Sequence, residues 1–197
     1  MGLPVYELQI NQQEGDNAEV SFVALVDQPA IKRDFVAFKE AEKFQIVSET
    51  EHIISGPLML ANQLIYRNSE KFGEHNVMFT ADTIKQIAIK FAKKGYQRNV
   101  NLMHEEALQV EGVTMFESFI VDKKRGIMPM KGFEDVQDGS WFGSFYVENP
   151  QVWQAVKEGK LKGFSVEGMF DYKQPKSEAQ AMLEKIAAIL NLPISQK

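Results

Sequence analysis

Few residues in this chain of 197 can carry covalent chemistry. There is no cysteine, which removes thiolate nucleophiles, thiolate metal sites and disulfide staples together. Three histidines are present, His52, His75 and His104. His52, beside Glu51, and His75, in a polar run before Asn76, read as surface residues. His104 closes the apolar segment Val100-Asn101-Leu102-Met103 and opens an acidic one at Glu105-Glu106. It therefore sits where a strand meets a loop, the place from which a rigid scaffold presents side chains to a ligand. The plainer alternative is a half-buried histidine hydrogen-bonded to a carboxylate.

The nucleophile that could use such a base is Ser165, in Lys160-Leu161-Lys162-Gly163-Phe164-Ser165-Val166-Glu167-Gly168. Strand alternation sends Phe164 and Val166 to one face and Ser165 to the other. Gly163 and Gly168 let other backbone approach closely, or let the strand bend. A serine hydroxyl is a poor nucleophile at neutral pH and needs a base within hydrogen-bond reach, itself held by a third group. His104 is the base left by elimination. For the third place the candidate is Glu117, an acid in the otherwise apolar Met115-Phe116-Glu117-Ser118-Phe119, costly there unless paired. Asp122, Glu167 and Asp171 compete with it, and Glu117 could simply face solvent on an edge strand.

Other chemistries find little support. His104-Glu105-Glu106 lacks the i, i+4 histidine pair of a helical zinc site. Acids are plentiful, but no pair stands out for carboxylate-assisted hydrolysis. No phosphate-cradling glycine loop or nucleotide fingerprint occurs, so no cofactor is expected. The Ser165 segment is not a nucleophile elbow, which requires glycine two residues after the serine.

These residues need a scaffold. The length suits one domain with a real core, and 44% hydrophobic with 25% charged residues is globular composition. A net charge of −5 argues against nucleic acid as the main partner. The first residues show no basic-then-apolar leader and no myristoylation pattern, and no apolar run reaches membrane-spanning length, so a soluble cytoplasmic protein is expected. Val5–Ile10 and Glu19–Val26 read as a hairpin about a turn at Asn11–Asn17. Asp27-Gln28-Pro29-Ala30 is a break. Short strands follow at Phe35–Phe38, Lys43–Ser48 and Ile53–Leu60, then a loop over Tyr66–Asn76. Thr80, Ile84, Ile87, Ala88, Phe91 and Gly95 spell a capped amphipathic helix. Asn99–His104, Val113–Val121 and Trp141–Val147 are strands, with an acidic connection at Glu105–Glu111 and a loop over Gly126–Asp138. Asn149-Pro150 starts a second helix with Val152, Trp153 and Val156 on its buried stripe. The Ser165 strand runs on toward Tyr172. A change of composition after Lys173-Gln174-Pro175 predicts one domain over 1–175 and a C-terminal amphipathic helix or tail over 176–197, capped by Ser177. The sum is mainly β with peripheral helices (α+β), built on an antiparallel sheet or barrel.

The order of segments resembles the prohead maturation proteases of tailed bacteriophages, specifically the group typified by XkdF. The carriers are Val23-Ala24-Leu25-Val26-Asp27-Gln28-Pro29-Ala30-Ile31, Ile54-Ser55-Gly56-Pro57-Leu58, Asn101-Leu102-Met103-His104-Glu105, Glu117–Asp122, Gly139-Ser140-Trp141-Phe142 and Val156–Gly168. The likeness implies an antiparallel β-barrel of the herpesvirus-protease type, ringed by helices. It implies a serine endopeptidase acting on phage scaffold and capsid precursors, and on itself, inside the assembling procapsid in the bacterial host cytoplasm. By position Ser165 is then the nucleophile and His104 the base; the third member varies among such proteases, neither His52 nor His75 matches it, and Glu117 is the acid expected there. It also implies a homodimer, for which the last helix is available. The competing expectation is an inactive virion or scaffold-binding module with the same fold.

Overall fold

Caps and apolar spacing set the two helices. In α1 (Ala81–Lys93) the Thr80 hydroxyl accepts from the Thr83 N–H at 3.3 Å, satisfying one of the amides a helix start leaves open. Ile84, Ile87 and Phe91 are buried along one stripe, and Gly95 leaves the helix at φ 72°, the left-handed conformation glycine adopts without strain. In α2 (Pro150–Lys157) the Asn149 side chain accepts from the N–H groups of Gln151 and Val152, and Val152, Trp153 and Val156 are buried. Both helices match the sequence expectation.

The computed structural model describes residues 2–10, 18–27 and 43–173. The expected turn at Asn11–Asn17, the break at Gln28-Pro29-Ala30, the strand at Phe35–Phe38 and the helix of 176–197 lie outside the described residues. Twelve strands are described: β1 (Val5–Gln9), β2 (Val20–Val26), β3 (Gln45–Ser48), β4 (Ile53–Met59), β5 (Ile65–Ser69), β6 (Gly73–Met78), β7 (Val100–Leu102), β8 (Glu105–Gln109), β9 (Val113–Ile120), β10 (Trp141–Val147), β11 (Gly163–Gly168) and β12 (Asp171–Lys173). They form three four-stranded sheets, β12-β1-β6-β5, β3-β4-β10-β9 and β11-β2-β7-β8. The described residues are thus mainly β with two helices, which fits the expected mainly β (α+β) class.

Three details differ. β1 and β2 do not form a hairpin: β1 pairs with β12 and, in parallel, with β6, while β2 pairs with β11 and, in parallel, with β7. Alternation marks a strand but carries no address for its partner. The polar run Tyr66–Asn76 is largely the hairpin β5–β6, in which Ile65, His75 and Val77 are buried on one face. His75 is therefore a core residue and not a surface one. Two of the three sheets are mixed, each with one parallel pair (β1–β6 and β2–β7), while β3-β4-β10-β9 is antiparallel throughout, and no closed barrel forms among the described residues. The step toward closure is a bridge from Lys43 to Gly163, with the Phe44 N–H donating to the Lys162 carbonyl at 2.9 Å. No helix among the described residues is long and apolar enough to cross a membrane.

The core that matters for the site lies between the last two sheets. Phe164 of β11 packs on Phe145 of β10 and on Phe44, with ring centroids 4.6 and 5.1 Å apart. Val23, Leu25 and Val100 bury on the same side. Removing one such aromatic costs about 3–5 kcal/mol, so the register of β11 is firmly held. Alternation then sends Ser165, Glu167, Ala24 and Asn101 to the outward face of β11-β2-β7-β8.

Candidate active site

Ladder register assembles the site across three strands. Ser165 pairs with Ala24 on β2, and Ala24 pairs with Asn101 on β7. These three side chains form one row on the outward face, with Ser165 and Asn101 two strand spacings, or roughly 10 Å, apart. Ala24 contributes only a methyl between them, so the space above it is open to a larger group from elsewhere. Glu167, two residues beyond Ser165, stands on the same face.

That larger group arrives from the turn joining β7 to β8. Leu102 pairs with Glu105, so Met103 and His104 are the two central residues of a tight hairpin, at φ 54° and 60°. Two-residue hairpins favour positive φ at both centres, usually supplied by Asn-Gly. Here a methionine and a histidine adopt it, at about 1–2 kcal/mol each. The turn is tied to β2: the Met103 N–H donates to the Leu25 carbonyl at 3.1 Å, and the Asp27 N–H to Met103 Sδ at 3.4 Å.

The imidazole comes to rest against β11. His104 Nδ1 lies 3.4 Å from Glu167 Oε2, and the Asn101 Nδ2–H donates to the same oxygen at 2.8 Å. The first distance exceeds the roughly 2.7–3.2 Å of a formed N–H···O bond. The side chains of His104 and Glu167 are 12% and 29% exposed. His104 Nε2 and Asn101 Oδ1 are buried with no hydrogen-bond partner among the described residues. Ser165 is half-buried, and its hydroxyl makes no hydrogen bond to a described residue. With Nδ1–H directed at the carboxylate, Nε2 holds the lone pair of the neutral ring. Such a ring can accept a proton from a hydroxyl on the same face.

Of the four acids considered, Glu167 is the one against the imidazole. Glu117 sits on β9, an edge strand of the other sheet, exposed and in register with Ser144. Its face is turned away from the Phe145–Phe164 core, so that core separates it from Ser165. The cost argument that singled it out fails because Glu117 is not buried. Asp122 is engaged by Arg125, whose side chain holds its carboxyl below the usual range, and Asp171 is exposed on β12. Glu167 could have been ranked first from the sequence, since two-residue spacing from Ser165 puts both on one face of a strand. Asn101 had no such signal, because β2 intervenes. The glycine brackets also resolve: a Cβ on Gly168 would lie 2.1 Å from the Glu19 carbonyl oxygen. Gly168 thus serves close packing of β11 on the start of β2, rather than room for a ligand.

The family model described as "Putative phage serine protease XkdF" matches residues 58–173, a span that holds Asn101, His104, Ser165 and Glu167. The phage-like element PBSX protein XkdF of Bacillus subtilis (strain 168) is 24% identical over 163 residues, 79% of this chain and 54% of that protein. The chain thus spans about half the length of that relative. No solved structure matches.

Proposed function

This chain belongs to the phage serine protease family XkdF, and we propose that it is a serine endopeptidase working through Ser165, His104 and Glu167. Ser165 Oγ attacks the scissile carbonyl as its proton passes to His104 Nε2. The tetrahedral intermediate collapses, the C–N bond breaks, and the same proton goes to the leaving amine. Water then attacks the acyl carbon, giving a proton to Nε2, and that proton passes to Ser165 Oγ as the acyl–oxygen bond breaks. Glu167 holds the Nδ1–H tautomer and stabilises the imidazolium between these transfers. The observation that carries this reading is the Glu167 carboxylate at His104 Nδ1, on the Ser165 face, with Nε2 left without a hydrogen-bond partner among the described residues.

The substrates that fit a phage protease of this kind are scaffold and capsid precursors, with cleavage of its own chain as a further event, inside the procapsid in the host cytoplasm. In this mechanism the third member is Glu167 and not Glu117. The test is co-expression of the precursors with the wild type or with Ser165→Ala. Processing should be lost in the variant, and undiminished processing would remove the proposal. A binding module with the same fold draws on the lack of a Ser165–His104 hydrogen bond at rest. It predicts intact precursors with the wild-type chain as well.

A further inference from the structure

The best-buried polar side chain of this face is one that the mechanism does not use. Asn101 is 0% exposed. Its Nδ2–H donates to Glu167 Oε2 at 2.8 Å, while its Oδ1 has no partner among the described residues. A buried acceptor left unpaired carries the full cost of its desolvation. An apolar side chain of the same shape would avoid that cost, so stability alone does not explain an amide here. What the amide does is fix a carboxylate: Glu167 Oε2 is the single oxygen that both Asn101 and His104 approach. The Asn101 contact is the shorter by 0.6 Å (3.4 less 2.8). The carboxylate is therefore anchored by Asn101 and only approached by the ring.

From this we infer that Asn101 is a positioning residue of the hydrolytic site, holding the Glu167 carboxylate in place so that His104 presents Nε2 toward Ser165. The inference rests on the Ser165–His104–Glu167 reading. Without the Nδ2–H donor, Glu167, already 29% exposed, turns to water, and the ring loses its orienting anion. Asn101 touches no reacting atom. Its loss should slow the chemical step and leave recognition of the reagent unchanged.

The experiment uses the full chain and a fluorophosphonate, which forms an O–P bond to an activated serine with loss of fluoride. Saturation kinetics give a limiting rate and an apparent affinity for the wild type, Asn101→Leu, Asn101→Ala and Ser165→Ala, with thermal melting in parallel. Asn101→Leu removes the donor and the orphaned acceptor together. The expected result is a limiting rate about 10²-fold lower, the scale of a small misplacement of a catalytic group. The affinity should stay unchanged, and the melting temperature of Asn101→Leu should be equal or higher. A merely structural Asn101 gives the reverse, a lower melting temperature with the rate retained in the folded fraction, and overturns the inference. Failure of both Asn101 variants to fold overturns it too. Labelling that persists in Ser165→Ala removes the parent reading and this one with it, whereas labelling that needs Ser165 and ignores Asn101 removes this one alone.

Discussion

Replacing Glu167 by glutamine keeps the side chain's shape and removes its charge. Its oxygen lies 3.4 Å from His104 Nδ1, which puts the charge centres of carboxylate and imidazolium about 4–5 Å apart. At the effective dielectric constant of about 20 that suits a partly exposed pair, this attraction is about 3–4 kcal/mol. Each 1.36 kcal/mol is tenfold in rate, so the variant should react about 10²- to 10³-fold more slowly with a serine-directed fluorophosphonate. The loss is set below the roughly 10⁴ of a fully buried triad acid because Glu167 is 29% exposed. Glu117→Gln, on the exposed face of the other sheet, should stay within about twofold of wild type, as expected of a surface change. Measured labelling rates decide between the two acids. A large loss in Glu117→Gln with none in Glu167→Gln would refute the geometry-based assignment.

Two further perturbations test the scaffold. Gly168→Ala drives a methyl into the Glu19 carbonyl and should cost about 1–3 kcal/mol, the usual overpacking penalty, read by chemical denaturation. An unchanged stability would show that β11 need not pack so closely on β2. The second concerns Glu19, which meets Lys90 and Lys94 of the α1 C-terminal region at 3.4 and 2.7 Å and accepts from the Tyr96 hydroxyl. Burial raises its carboxyl, but Lys94 and Tyr96 outweigh that and hold it below its ordinary value. A depressed carboxyl stabilises the fold above its unfolded pKa and loses that contribution as pH falls through the folded one. Glu19→Gln should therefore cost about 1 kcal/mol near neutral pH, and the difference should vanish below the carboxylate range. A gap that persists at acid pH would contradict this.

Local signals in the sequence were read correctly because their physics is local. Thr80 and Asn149 cap helices through their own next residues, and the apolar stripes of α1 and α2 bury as spaced. Pairing between distant strands was not legible: β1 and β2 look like a hairpin, yet each joins strands more than 60 residues away. The hairpin β5–β6 was hidden by polar residues, although Ile65, His75 and Val77 already alternate toward the core. At the site, Ser165 and His104 stood out by type and setting. An acid among apolar residues points to Glu117, which is exposed on β9, whereas the period-two relation of Glu167 to Ser165 puts that carboxylate on the Ser165 face, beside His104. Asn101 needed the β2–β7 register, which no residue of either strand announces.

The most direct measurement is peptide mapping of the chain after reaction with a fluorophosphonate, alongside His104→Ala. The mechanism predicts a single phosphonyl adduct on Ser165, slowed by several orders of magnitude when His104 is removed. An unmodified Ser165, or an adduct whose rate ignores His104, would contradict it.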